Sequence, residues 1–309
     1  MKSILPAICL LIFPCFVFSA ENQAENILLH QRDNGGWPKN YDRESGRSEA
    51  EKKKLQDKKS TEDATFDNGA THTEIRYLAK AFLKTGDQRY RKAALKGIEF
   101  MLEAQYANGG WPQRFPKPSG YSARITFNDG AMIGVMSTLR DISRDKKAYP
   151  FVSDELRERC AKAVEQGIPC ILECQIVVKG KRTAWCAQHD EKTLVPRKAR
   201  SYELPSISGA ESVGVVRFLM KTDEPSPEII ASVQGGISGL GIGESTQKYF
   251  FLPEAHTDFI FSIYMEETGL IGLLFLIAIY SIILWRLFIL TKSAMDANFY
   301  FNGLIILTF

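Results

Sequence analysis

Histidine is scarce in this chain, with four in 309 residues, and no two stand at the spacing of a metal-binding pair. A zinc or copper centre on paired imidazoles therefore has nothing to rest on. Charge is almost balanced, at 39 Lys+Arg against 36 Asp+Glu, so the net value is only +3. No basic surplus argues for nucleic acid, although a locally cationic cleft can still draw in a polyanion. Cysteine is sparse as well: of six, only Cys160, Cys170, Cys174 and Cys186 lie beyond residue 20. Beyond the N-terminus, one uncharged apolar run, Gly269 to Trp285 with Ile289 and Leu290 following, is long enough for a membrane helix.

The first twenty residues have the anatomy of a signal peptide. Lys2 supplies the positive start, Ile4 to Phe18 the apolar core, and Ser19-Ala20 the small residues before polar Glu21-Asn22-Gln23. An exported chain meets an oxidising compartment, where Cys174 and Cys186, flanking a β-like stretch at Ile176-Val177-Val178, could be bridged. Cys160, Cys170 and Cys174 also fall at helical spacing, which equally fits three core residues. The charged run from Arg43 to Lys59 reads as a solvated loop or an exposed helix.

Between Ala70 and Val233 apolar residues recur at helical intervals: Ile75, Leu78, Ala79, Phe82, Leu83, then Tyr90, Ala94, Ile98, Met101, Leu102. Gly86 closes one segment and Asp87 caps the next, while Ser226-Pro227-Glu228 opens another. Two elements repeat. Asn34-Gly35-Gly36-Trp37-Pro38 returns as Asn108-Gly109-Gly110-Trp111-Pro112, with a weaker echo at Thr183-Ala184-Trp185-Cys186. Thr65-Phe66-Asp67-Asn68-Gly69-Ala70 returns as Thr126-Phe127-Asn128-Asp129-Gly130-Ala131 and then as Ser206-Ile207-Ser208-Gly209-Ala210-Glu211. Helical pairs with a shared entry motif imply an all-α toroid or solenoid with its entry loops at one end. That geometry is expected to gather Asp67, Asn68, Asn128, Asp129, Trp37, Trp111 and Trp185 around one cleft.

Asp67 and Asp129, with the amides of Asn68 and Asn128 beside them, are hard oxygen donors and suit calcium. His30 and His72 are isolated and read as structural, whereas His189, in Trp185-Cys186-Ala187-Gln188-His189-Asp190, is a candidate for the cleft. Lys192, Arg197, Lys198 and Arg200 form a basic cluster ahead of Tyr202-Glu203-Leu204-Pro205. Opposite a bound cation, such a cluster could hold a carboxylated sugar.

These motifs together, Thr-Phe-Asp-Asn-Gly-Ala-Thr, Asn-Gly-Gly-Trp-Pro-Gln, Ile-Thr-Phe-Asn-Asp and Trp-Cys-Ala-Gln-His-Asp through Ala-Arg-Ser-Tyr-Glu-Leu-Pro-Ser, resemble the family 10 pectate lyases from about His30 to Gln234. The resemblance implies an (α/α) toroid, calcium dependence, and anti β-elimination on polygalacturonate. By that likeness Arg200 is the base, Asp67 and Asp129 hold calcium, and Asn68, Asn128, Arg124, Trp111 and His189 are expected to contact substrate. An arginine base is chemically demanding, because an unperturbed guanidinium titrates above ~12.

The family pattern would continue after Ile230 with another helical pair and further cationic cleft residues, so the lyase part, residues 21–234, is expected to be an incomplete toroid. Instead, Gly239-Leu240-Gly241-Ile242-Gly243-Glu244 and Leu252-Pro253-Glu254-Ala255-His256-Thr257-Asp258-Phe259 resemble the extracytoplasmic loop of the FtsW/RodA (SEDS) peptidoglycan glycosyltransferases. Asp258 falls at that family's proposed catalytic aspartate. Residues 235–309 are therefore expected to be a fragment of such a protein, with one membrane helix at 269–291 and part of a second. The signal peptide and this helix agree on orientation, with an exported lyase part and a membrane-held tail. The alternative expectation is an inactive lyase remnant fused to a cell-division fragment.

Overall fold

The computed structural model describes residues 22–238 and 260–293. The signal-peptide stretch and Asp258 lie outside the described residues. The first helix, α1, covers residues 22–30. It is followed by α2 (Glu49–Asp57), which has no buried residue. The charged run is thus an exposed helix, opened by a capping box between Ser48 and Glu51.

Three helical hairpins form the body. They are α3 (His72–Thr85) with α4 (Gln88–Glu103), α5 (Ala131–Arg144) with α6 (Asp154–Cys174), and α7 (Gly209–Leu219) with α8 (Pro227–Ser238). The punctuation works as the residues dictate. Gly86 ends α3 in the left-handed region at φ 73°, and the Asp87 carboxylate accepts from Arg89 N at 2.8 Å. Ser153 accepts from Leu156 N at 3.2 Å to open α6. Apolar faces of all three pairs meet in one continuous core that includes Ile75, Ile98, Met101, Val135, Leu139, Ile171 and Val215.

The tryptophans bind α1, α4 and α6 to the loops that follow them. Trp37, Trp111 and Trp185 are all 0% exposed. Their indole N–H groups donate to the carbonyls of Ile27 (2.7 Å), Met101 (2.8 Å) and Ile171 (2.8 Å). A glutamine repeats with them: Gln31, Gln105 and Gln175 each donate two bonds from Nε2. One goes to the local loop, at Gly35, Gly109 or Thr183, and the other to Ala93, Ala163 or Ser232 on the second helix of a pair. Each repeat therefore satisfies its buried polar groups in the same way, which fixes loop against helix.

The same loops press backbone on backbone. Gly109 sits at φ 87°, and a Cβ there would fall on the carbonyl oxygen of Gln166 in α6. Gly109→Ala is expected to cost about 3 kcal/mol or more, from positive-φ strain plus that overlap. Gly86→Ala, where nothing lies within 4 Å of the added carbon, should cost about 1 kcal/mol. Urea denaturation midpoints of the two variants check the contrast.

Two short antiparallel pairings complete the described residues. β1 (Ile125–Thr126) pairs with β4 (Gln188–His189), with Ile125 opposite His189 and Thr126 opposite Gln188. β2 (Val177–Val178) turns back on β3 (Lys181–Arg182) through Lys179 and Gly180, both at positive φ as a two-residue hairpin requires. The four cysteines beyond residue 20 are buried free thiols, so the β-like stretch is a hairpin without a bridge across it.

The last helix, α9 (Ile260–Ser293), contains Ile271–Thr291, with mean hydropathy 2.5 and none of that window buried. Among the described residues it is one helix long and apolar enough to cross a membrane, by length and composition.

Candidate active site

The turn that starts each second repeat element is built from residues that tolerate a left-handed backbone. Asn68 and Gly69 lie at φ 51° and 76°, and Asp129 and Gly130 at 51° and 67°. The two turns, Asp67–Gly69 and Asn128–Gly130, touch each other, and α7 abuts the second. Asp67, Asn128 and Asp129 from these turns line a cavity of about 470 Å³.

That cavity is lined by repeat-equivalent positions. The third residue of each turn element contributes Asp67, Asn128 and Ser208, and the residue two places after each tryptophan contributes Lys39, Gln113 and Ala187. The 197–204 segment adds Arg197, Arg200, Tyr202 and Glu203 to the lining, and Tyr121 joins them. Asp67, Asp129 and Arg200 thus share one cavity. Three cationic side chains, Lys39, Arg197 and Arg200, and three anionic ones, Asp67, Asp129 and Glu203, line it.

The carboxylates are unevenly satisfied. Asp67 is 4% exposed; its Oδ2 accepts from Lys39 Nζ, while its Oδ1 is buried without a hydrogen-bond partner. Desolvation and the neighbouring Asp67 carboxylate hold the Asp129 carboxyl above the usual carboxylate range. Asn128 Nδ2 donates to Asp129 Oδ2 at 2.5 Å. Across the cavity, Arg200 is held at both ends by Glu203: its backbone N–H donates to Oε2 at 3.1 Å and its Nη2 to Oε1. Its guanidinium lies 5.1 Å from the Tyr202 ring centroid. The hydrogen bond to Glu203 raises the arginine further above its already high range.

Other expected contacts lie elsewhere. Trp111 is corrected to the core: it is wholly buried, its one donor is used on Met101, and it offers no face to a ligand. Trp37 and Trp185 are corrected in the same way. His189 is corrected too. It is 0% exposed, packs edge-on to Phe127 at 5.6 Å and hydrogen-bonds the Leu194 carbonyl at 2.8 Å. Successive strand residues face opposite ways, so Gln188 lines the cavity and His189 turns from it. Asn68 is exposed beside the turn, where it donates to Asn40 at 3.2 Å, and does not line the cavity. Arg124 borders a second cavity of about 450 Å³, together with Lys198, Asp190 and Glu191, and Arg197 borders both.

Desolvation moves His72 and His189 in one direction. His72 and His189 are each pushed down to about 4, chiefly by desolvation. Their folded values lie below the unfolded ~6.5, so the unfolded chain takes up the extra protons. The stability they allow is complete above pH ~6.5 and is lost as pH falls towards 4, by on the order of 2–3 kcal/mol for each. Urea midpoints at pH 7 and pH 4.5 should differ accordingly, and His189→Asn should lessen the difference.

Residues 31–246 match the family model of pectic acid lyase. The chain belongs to the pectic acid lyase family. Among solved structures it is similar to the family 10 polysaccharide lyase of Cellvibrio cellulosa, a mutant of which is known in complex with trigalacturonic acid. Against that complex the TM-score is 0.64 at 38% identity, covering 71% of this chain and 66% of the other. Against the structure without that ligand named, the TM-score is 0.62 at 36% identity, with 76% and 71% covered. Residues 226–308 match a second family model, that of the FtsW, RodA and SpoVE cell cycle proteins. Curated relatives of this part include probable peptidoglycan glycosyltransferases FtsW. The protein of Hydrogenovibrio crunogenus is 53% identical over 77 residues, 25% of this chain and 20% of that one. That of Saccharophagus degradans is 47% identical over 78 residues, again 25% and 20%. The chain spans about a fifth of the length of these relatives. A lyase-family body and an FtsW-like segment therefore follow one another in one chain, their matches overlapping at residues 226–246.

Proposed function

We propose that this lyase cleaves polygalacturonate by calcium-assisted anti β-elimination, with Arg200 as the base. The observation that carries the reading is the shared cavity of about 470 Å³, lined by two turn carboxylates and a guanidinium. Support for the substrate class comes from the similar Cellvibrio lyase, which binds trigalacturonic acid.

The donor set fits a hard cation. Asp67 Oδ1 is buried without a partner, Asp129 is uncomfortable as a second nearby anion, and every candidate donor is oxygen. No cluster of three or more His, Cys, Asp or Glu able to hold a metal is present among the described residues. Asp67 and Asp129 would therefore hold calcium with help from the Asn128 amide, solvent and the uronate itself. When bound, calcium supplies positive charge that acidifies the carbon next to the uronate carboxylate. Arg200, after losing one proton to solvent, takes the proton from carbon 5 as a neutral guanidine, the electron pair forms the carbon 4–carbon 5 double bond, and the bond from carbon 4 to the glycosidic oxygen breaks. The departing oxygen takes a proton from solvent. Arg197 and Lys39, which also line the cavity, would neutralise uronate carboxylates along the chain.

The helical pairs are read as an incomplete (α/α) toroid spanning residues 21–234, with the join at Gln234–Gly235. Residues 1–20 direct export, the lyase body lies outside the cytoplasm, and residues 269–291 hold the chain in the membrane. A second reading, an inactive remnant carrying a cell-division fragment, draws on the FtsW-like match and on the Glu203 contact that keeps Arg200 protonated. The full chain in detergent, given polygalacturonate and calcium, separates the two. Growth of ultraviolet absorbance from the unsaturated product, abolished by a chelator, is expected; no product with calcium present favours the remnant, and chelator-resistant product rejects the metal.

A further inference from the structure

Lys39 stands apart from its counterparts. It lies two residues after the buried Trp37, and the same position after Trp111 and Trp185 holds the neutral Gln113 and Ala187, all three lining the cavity. The loop geometry is therefore built in two other repeats without a cation there. In the first repeat the Lys39 ammonium pairs with Asp67 Oδ2, beside a carboxylate whose side chain is 6% exposed, while the lysine side chain remains 35% exposed.

We propose that Lys39 is a resident counter-ion of the Asp67–Asp129 pair, which a divalent cation must displace in order to bind. The inference rests on the calcium reading above and adds a competitor to it. With one oxygen of Asp67 taken by the ammonium and the other unpartnered, the carboxylate is half neutralised. The ammonium can leave because its stem is flexible and partly in solvent, where a lysine head group is well hydrated. Displacement would point a free cation into the cavity that takes the acidic sugar. The net charge presented to that sugar then rises by the full charge of the incoming ion, because Lys39 stays in the cavity.

The test is calorimetric titration of calcium chloride into the full chain in detergent, without substrate. Lys39→Gln copies the residue of the second repeat and removes the competitor, so calcium should bind about tenfold more tightly than to the wild type. Lys39→Met should do the same, while Lys39→Arg, which keeps the charge, should stay within about threefold of the wild type. Equal or weaker binding in both neutral variants would overturn the assignment while leaving the calcium reading intact. Loss of the cooperative unfolding transition in both would make Lys39 a structural residue and overturn it as well. A wild type that takes up no calcium removes the metal reading itself, and the competitor with it.

Discussion

Arg200→Ala is expected to lower the turnover of polygalacturonate by about 10²- to 10⁴-fold, the usual worth of a general base, and to leave the unfolding midpoint within about 0.5 kcal/mol of the wild type. The separation of the two effects follows from where the residue stands. Arg200 lies in the exposed 197–204 segment, its side chain touching Glu203 and Tyr202 and no part of the core. Losing it removes a solvent-screened ion pair, which contributes little to folding. Its chemistry is another matter. Arg200→Lys retains a positive charge but replaces a planar fork with a point charge on a different stem, so it should not restore turnover. Glu203 gives a second handle, because its carboxylate favours the protonated guanidinium. Glu203→Gln should weaken that preference, so the rise of activity with pH should begin at lower pH than in the wild type. A pH–rate profile of the three variants measures it; full activity in Arg200→Ala removes the arginine from the mechanism.

Much of this site was legible because it repeats, and it was misread where one repeat has two faces. The sequence pattern located the hairpins and the boundary at Gly86 and Asp87, which is written in local backbone preference, and the repeated turn motif pointed to Asp67 and Asp129. The repeated tryptophans are expected around the cleft, with Trp111 against substrate. Its indole instead closes the core, because a large apolar ring with one donor is best satisfied by burial against a backbone carbonyl. The register of the repeat held the missing information. With Trp37, Trp111 and Trp185 in the core, it is the residues two places on, Lys39, Gln113 and Ala187, that line the cavity. His189 illustrates the same limit in a strand. Its neighbour Gln188 lines the cavity, and which of two adjacent polar residues turns inward depends on the pairing with Ile125, a partner far away in the chain. Glu203 holding Arg200 depends on a turn within Arg200–Glu203 that composition alone did not reveal.

Asp67→Asn and Asp129→Asn are each expected to weaken calcium binding by about 100-fold or more, and to remove lyase activity at calcium concentrations that saturate the wild type. A calcium site depends on the number of charged oxygens it offers, and this one has two carboxylates in the cavity. The folding consequences should differ between the two positions. Asp67 is buried, paired with Lys39, and bonded through its own backbone N–H to Thr65 Oγ1 at 3.1 Å, so its replacement leaves the lysine without its partner. Asp129 is more exposed and carries its carboxyl in an unfavourable field from Asp67. Its neutralisation should therefore stabilise the metal-free chain, or leave it unchanged, even as it destroys the site. Thermal unfolding with and without calcium reads both effects at once. The wild type should gain in midpoint with calcium, and each variant should lose most of that gain. Metal-free Asp129→Asn should melt no lower than the wild type. An undiminished calcium shift in both variants would move the ion away from these two turns, and with it the reason for their facing Arg200 across one cavity.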